Sequence, residues 1–114
     1  MGKNEDFEEA KRQMRKGVLE FCTLLIIRGE KVYASDILAE LKRADLIVVE
    51  GTLYPLLSRL KTDGLLKYDW QESAAGPPRK YYALTPRGKA KLADMKATWH
   101  ALVESVTTLQ KNHD

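Results

Sequence analysis

The spacing of apolar residues predicts three consecutive helices in the first half of the chain. Between residues 5 and 28, apolar side chains recur every three or four positions, which is the period of one helical face. Ser35 is a good N-cap for a second helix that ends near Ala44, and a third helix starts at 50–52 and stops at Gly64. Four leucines fall on one side of this third helix, which we expect to be buried: Leu53, Leu56, Leu57 and Leu60.

The second half of the chain predicts a β-hairpin followed by one long helix. Residues 65–70 and 79–84 have the alternation and the aromatic content of strands, and the loop-forming residues 71–78 separate them. Thr85, followed by a proline, caps a helix that runs to about Asn112. The apolar residues of this helix are spaced as in a coiled-coil seam: Leu92, Met95, Trp99, Leu102, Val106 and Leu109.

This order of elements is that of a winged helix-turn-helix protein, so we expect a mainly α fold with a small β-hairpin. Residues 1–85 are expected to form the DNA-binding domain, and residues 86–114 the C-terminal dimerisation helix. A helix roughly 40 Å long is too long to pack its whole apolar seam on so small a body. We therefore expect a second copy of the chain to cover the seam, with the first helix also serving the dimer.

Positive charge is concentrated in the second half of the chain. The net charge is +3, and residues 65–91 contain six basic and only two acidic side chains. A basic stretch is expected on a surface that binds phosphate groups, although it also occurs for solubility alone. Charge by itself therefore leaves nucleic-acid binding as one of two interpretations.

The side of the third helix opposite its leucines carries hydroxyl groups, an aromatic ring and cations, with no acid before Asp63. Reading base edges requires donors and acceptors, and binding phosphates requires cations. We therefore expect this helix to enter the major groove of double-stranded DNA with six residues facing it: Thr52, Tyr54, Pro55, Ser58, Arg59 and Lys61. The alternative is an ordinary solvated helix face.

The predicted hairpin places two cations, Arg79 and Lys80, directly after the stiff sequence Gly-Pro-Pro at 76–78. A tip of this kind can follow a phosphate backbone or reach into the minor groove. The alternative is a charged edge strand that discourages aggregation.

Four stretches of the sequence resemble the PadR family of transcriptional regulators, in the subgroup whose C-terminal part is a single long helix. These stretches are residues 15–20, 50–60, 63–65 and 76–88, and the second and fourth are specific when they occur together. The resemblance spans about residues 12–110. One departure is an alanine at position 34, where the family usually has a glycine after the tyrosine that precedes the second helix.

The resemblance implies a bacterial repressor that binds a palindromic operator as a homodimer through its recognition helix and wing. The polar and acidic N-terminal residues are unlike a signal peptide, so we expect a cytoplasmic protein. Thr52, Tyr54 and Ser58 match the DNA-contacting helix of the family, and Arg79 and Lys80 match its wing. An activator role stays open at this point.

Some relatives in this family sense flat aromatic compounds at the dimer interface, where a tryptophan of the last helix stacks on the ligand. Trp99 is the only tryptophan on the last predicted helix here. A candidate aromatic effector would bind among residues that also belong to the predicted interface: Met14, Val18, Met95, Trp99, Leu102 and Val106. The alternative is that Trp99 is only a bulky residue of the dimer seam.

Two other functions are alternatives to DNA binding. A winged helix used for protein contact would have a more apolar or acidic outer face on its third helix. An enzyme is disfavoured because His100 and His113 accompany no recognisable catalytic set and the chain has no glycine-rich phosphate loop. With Cys22 as the single cysteine, no disulfide or cysteine-based zinc site forms within the chain, and we expect no metal, cofactor or membrane span.

Overall fold

The computed structural model describes residues 3–29, 31–46 and 48–113, which form five helices and one three-stranded antiparallel sheet. In chain order the elements are α1 (Lys3–Arg15), α2 (Leu19–Ile27), β1 (Val32–Tyr33), α3 (Ala34–Arg43), α4 (Glu50–Thr62), β2 (Leu66–Ser73), β3 (Gly76–Leu84) and α5 (Pro86–His113). The strand order is β1-β3-β2. The predicted fold class, mainly α with a β-hairpin wing and a long C-terminal helix, is confirmed.

The prediction of one continuous first helix is wrong, because residues 16–18 form a turn that separates α1 from α2. Gly17 lies in this turn, and glycine is less favourable than alanine in a helix interior by about 1 kcal/mol. The two halves differ in burial: α2 contributes to the core, whereas Phe7 and Met14 of α1 are exposed, Met14 to 78%. The apolar period continues through the turn, so periodicity alone does not reveal the break.

The prediction that Ser35 caps α3 is also wrong. Tyr33 occupies the cap position in extended backbone, and its N–H donates to the Asp36 carboxylate at 3.1 Å. Asp36, at the third helical position, thus supplies the reciprocal hydrogen bond of a capping box, and Ser35 lies inside the helix instead of at its cap. Ser35 lies in the first turn of α3, where its hydroxyl accepts a hydrogen bond from the Arg79 guanidinium at 2.7 Å.

The turn between α3 and α4 begins at Asp45, whose φ of 62° places it in the left-handed region. The N–H of Leu46 donates to the carbonyl of Leu41 at 2.8 Å and closes the end of α3. The Asp45 carboxylate forms an ion pair with the Lys11 ammonium at 2.6 Å, which links α1 to this turn.

The wing is longer than the sequence predicts. The structure assigns most of the predicted loop 71–78 to strands, and the chain reverses at Ala74 and Ala75. Both prolines near the tip lie in β3, beyond the two residues at which β1 pairs with it and opposite the irregularity in the β2 register between Gln71 and Ser73, so their missing N–H groups fall where the ladder is open or interrupted. β1 was not predicted, since two residues are too short to show an alternating pattern.

The core is built around the leucine side of α4. Leu53, Leu57 and Leu60 are fully buried, as predicted, whereas Leu56 is only partly buried. Pro55 lies in the second turn of α4 on its exposed side, and the helix continues through it.

The end of α4 and the start of α5 are joined by backbone contacts. Gly64 ends α4 with a φ of 81°, which favours glycine, and the Thr85 hydroxyl donates to its carbonyl at 2.6 Å. The same hydroxyl accepts from the N–H of Gly88 at 2.9 Å, which confirms Thr85 as the predicted N-cap. A Cβ on Gly88 would lie 2.0 Å from the Leu65 carbonyl oxygen, so α5 starts in direct backbone contact with the segment after α4.

α5 runs almost to the end of the chain, as predicted, but its apolar seam has two parts. Leu92 is buried in the core of its own chain, so its assignment to a seam that faces water is wrong. Met95 is partly buried against the core, and every described residue from position 96 onward is exposed. None of the helices in the described segments is long and apolar enough to cross a membrane.

Candidate nucleic-acid interface

The six predicted DNA-facing residues of α4 all lie on its exposed side. The two cations among them contact other side chains of the same chain. Arg59 forms an ion pair with Glu20 of α2 at 3.3 Å, and the Lys61 ammonium lies 5.2 Å from the centre of the Tyr68 ring. Both contacts are at the surface, where competition with water keeps them weak. Arg59 therefore lies at the α2 edge of this surface and Lys61 at its wing edge, on either side of the hydroxyl-bearing residues.

Arg79 is held against the start of α3. Its guanidinium carbon lies 3.8 Å from the centre of the Tyr33 ring, and one of its nitrogens donates to the Ser35 hydroxyl at 2.7 Å. The Tyr33 hydroxyl in turn donates to the side-chain oxygen of Gln71 at 3.0 Å, which ties β1 to the wing. A guanidinium has five N–H donors, so donors remain for a further acceptor at this place.

Lys80 lies on the other face of β3, because successive side chains of a strand point to opposite sides. Its ammonium is 4.1 Å from the centre of the Tyr68 ring and 5.2 Å from that of Trp70. Trp70 is the direct cross-strand partner of Lys80 and is 63% exposed. The wing therefore carries one cation on each face, each stacked on an aromatic side chain.

The start of α3, the exposed side of α4 and the wing enclose a cleft of about 410 Å³, which we call the wing groove. Burial raises the pKa of Tyr82, and the neighbouring Tyr54 and Tyr68 raise it further, so its phenol stays neutral at physiological pH. The groove combines aromatic rings, hydroxyl groups and two cations, and the lining residues are Tyr33, Ala34, Ser35, Tyr54, Trp70, Arg79, Lys80 and Tyr82.

The wing groove brings together three of the predicted DNA-facing residues, Tyr54, Arg79 and Lys80. Sequence reasoning missed Trp70 and Ser35 as members of this surface. The position of Trp70 at the end of a predicted strand, next to a polar loop, was a usable signal for it. The sequence assigns Ser35 to a helix cap, and only its hydrogen bond with Arg79 in the folded chain places it in the wing groove.

A second cleft, of about 230 Å³, lies between the turn before α2 and the face of α5. It brings together Val18, Met95, Trp99 and Leu102 of the predicted interface, with the Trp99 ring centre 6.1 Å from that of Phe21. Met14 on α1 and Val106 farther along α5 do not line it. Within the described segments, no group of three or more His, Cys, Asp or Glu side chains is placed to hold a metal ion.

Comparison with known proteins gives one consistent family. The model described as the transcriptional regulator PadR-like family matches residues 23–94. A transcriptional regulator from Mycobacterium tuberculosis is 32% identical over 95 residues, which cover 83% of this chain and 88% of that protein.

Solved structures agree with the family model. The structure of a PadR-like transcription factor from Bacteroides fragilis has 56% sequence identity and a TM-score of 0.75, covering 89% of this chain and 98% of that one. Bacillus subtilis PadR, solved in complex with operator DNA, has 25% identity and a TM-score of 0.63, covering 68% of this chain and 46% of that one.

Proposed function

This chain belongs to the PadR-like family of transcriptional regulators, and from that premise we propose that it represses transcription by binding a palindromic operator as a homodimer. The observation that carries the proposal is the position of two stacked cations of the wing beside the exposed polar side of α4. A recognition helix next to a basic hairpin can contact base edges and phosphates at the same time.

The homodimer is supported by the apolar side chains that the single chain leaves exposed. On α5 these are Trp99, Leu102, Val103, Val106 and Leu109, between 42% and 59% exposed, and on α1 they are Phe7 and Met14. A two-fold axis that buries both sets would present two copies of α4 to successive major grooves, about 34 Å apart. Residues 86–114 would then act mainly as the dimerisation helix of a DNA-binding domain formed by residues 1–85.

The test of DNA binding is a fluorescence anisotropy titration with a labelled duplex that the protein itself selects from a random library. Binding is expected to weaken steeply with salt, because each phosphate contact releases counterions. Replacing both wing cations, Arg79→Ala with Lys80→Ala, should weaken binding to selected and unrelated duplexes alike and flatten the salt slope by about one per lost contact. Lys96→Ala with Lys111→Ala on α5 removes the same charge and serves as the control.

Base reading is tested by Tyr54→Ala and Ser58→Ala, whose side chains lie on the exposed side of α4. Each is expected to weaken binding to the selected duplex by about 1–3 kcal/mol while leaving the unrelated duplex unaffected. Equal losses on both duplexes would make these residues backbone contacts instead.

A planar aromatic effector is the finer part of the proposal, and the cleft beside Trp99 is its candidate site. Such a ligand is expected to quench Trp99 emission and to release the operator. Because Trp70 also emits, the titration is repeated on Trp70→Phe. A panel of planar aromatic compounds that leaves both readouts unchanged would show that Trp99 serves packing alone.

A further inference from the structure

We propose that the wing groove receives one phosphodiester of the bound DNA with its deoxyribose. Trp70 contacts the sugar, and Ser35 and Tyr33 position Arg79 toward the phosphate. This inference rests on the proposed function, since the groove takes this occupant only in a protein that binds DNA. It assigns roles to three residues that sequence reasoning did not place on the DNA surface.

The charge of the groove matches an anion. Its lining includes Arg79 and Lys80 and contains no carboxylate. A cleft of similar size, about 390 Å³, lies between α2, the segment after α4 and α5, and combines Arg87 and Lys91 with three carboxylates, those of Glu20, Asp63 and Asp94. That cleft is therefore nearly balanced in charge, whereas the lining of the wing groove combines two cations with uncharged side chains.

Arg79 is oriented before any ligand arrives. The Tyr33 ring supports the face of its guanidinium, and the Ser35 hydroxyl accepts one of its N–H groups. Tyr33 is itself fixed by its hydrogen bond to Gln71 and by an edge-to-face contact with the Tyr81 ring at 6.2 Å. Because the side chain is already ordered, binding a phosphate loses less conformational entropy than it would with a freely rotating arginine.

Trp70 supplies an apolar surface at the same groove. Its indole stands edge-to-face with the Tyr68 ring at 6.4 Å and within 5.2 Å of the Lys80 ammonium, yet most of it remains in contact with water. In duplex DNA, a phosphate is flanked by deoxyribose, whose carbon-rich face can cover an indole. Trp70 and Lys80 line the groove from one face of β3 and Arg79 lines it from the other, so the groove offers an exposed ring together with two cations. This combination fits a sugar-phosphate unit better than a free anion.

The role of Trp70 is tested with Trp99→Phe, which leaves Trp70 as the only tryptophan. Sedimentation first checks that this variant keeps the oligomeric state of the parent protein. Adding an unlabelled duplex of mixed sequence at low salt is expected to change the Trp70 emission in parallel with the anisotropy of a labelled duplex. Trp70→Ala is expected to weaken binding to selected and mixed duplexes about tenfold, and Trp70→Phe by less. If Trp70→Ala fails to fold by circular dichroism, Trp70→Phe and the emission change decide.

The positioning role of Ser35 is tested by a double-mutant cycle. Ser35→Ala should lower the salt slope by about one, as Arg79→Ala does, and the double variant should lose no more than Arg79→Ala alone. Ser35→Thr, which keeps the hydroxyl, should restore the slope. A merely structural role would instead give additive losses without a change in slope.

The outcomes separate this inference from the proposed function. Parent protein that binds no duplex at low salt overturns the proposed function and this inference with it. Parent protein that binds, with an unresponsive Trp70 and full affinity in Trp70→Ala, overturns the sugar contact alone. The phosphate is located with a series of selected duplexes, each of which carries one neutral methylphosphonate linkage. At one position the linkage should weaken duplex binding by the parent protein and leave duplex binding by Arg79→Ala unchanged. The absence of any such position would overturn the phosphate contact.

Discussion

α4 and α5 carry the same pattern of apolar residues, three and four apart, but only the apolar side of α4 is covered along its length by the same chain. The leucines of α4 are covered by α2, α3 and the wing of the same chain, and three of them are fully buried. The seam of α5 is covered at Leu92 and Met95 and then runs out exposed to Leu109. The period of a pattern identifies the apolar side of a helix, and the tertiary structure decides whether one chain suffices to cover it.

The same difference separates α2 from α1. α2 is buried against α3 and α5, whereas α1 carries exposed Phe7 and Met14 and contacts the turn after α3 through the ion pair between Lys11 and Asp45. The cleft that contains Trp99 lies between α5 and the turn that joins α1 to α2. The described residues thus divide into a body that buries most of its own apolar side chains, which we call the self-sufficient body, and two helices that expose apolar side chains.

The largest expected effect comes from placing a carboxylate in the exposed part of the α5 seam. Leu102→Asp should yield a monomer and abolish operator binding, because a carboxylate in the proposed interface has no partner and the exposed side of α4 is untouched. Its effect on the unfolding of the monomeric body should be small. Sedimentation at micromolar concentration is the measurement, and Ala97→Asp on the opposite side of α5 is the matched control. A dimer that survives Leu102→Asp would contradict the seam assignment.

Shortening a leucine on the buried side of α4 tests the comparison from the other direction. Leu57→Ala should lower the free energy of unfolding by about 2–5 kcal/mol, since it leaves a cavity in a fully buried site. Chemical denaturation of both variants at two protein concentrations separates the two regions. The loss in Leu57→Ala should appear at both concentrations, whereas Leu102→Asp should remove the concentration dependence itself.

A smaller effect is expected at the junction between the two regions. Gly64→Ala should destabilise the protein by about 1–2 kcal/mol, because φ of 81° disfavours any residue with a Cβ even though there is space for one. Thermal unfolding of Gly64→Ala beside Gly51→Ala gives the comparison, since Gly51 is helical and has open space around it. An equal response of the two variants would show that the backbone at Gly64 relaxes.

The smallest effect is expected for the contact of α1 with the body. Lys11→Ala should change the free energy of unfolding by less than about 1 kcal/mol, because the Asp45 carboxylate of this pair is largely exposed. The change should shrink further in high salt. A larger loss that persists in salt would mean that α1 belongs to the self-sufficient body after all.

Local patterns predicted the elements whose signals are continuous in sequence. The leucine spacing of α4, the Thr85 cap and the length of α5 all follow from residues within one helix. The break at Gly17 did not follow, because apolar residues keep the helical period on both sides of it. The wing was underestimated, since pairing with a partner strand extends residues whose individual preferences favour a loop.

The proposed DNA surface divides in the same way. Its α4 and wing residues are candidates from the sequence alone, because hydroxyl groups and cations on a polar helix face or strand can be recognised within one segment. The contacts of Arg79 with Tyr33 and Ser35 join residues more than forty positions apart and depend on the register between β1 and β3. No single segment contains that information, so the wing groove emerges only from the folded chain.

The hydroxyl of Thr85 and the missing side chain of Gly88 have a mechanical consequence. Together they make the start of α5 a stiff pivot that is anchored to the end of α4. A tilt of about 5° at this pivot moves the far end of a lever roughly 40 Å long by roughly 3–4 Å. In the reverse direction, a displacement of the far end of α5 would rotate α4 by a small angle, because direct contacts join the two helices. The separation of two recognition helices in a dimer would therefore respond to the angle of this one joint.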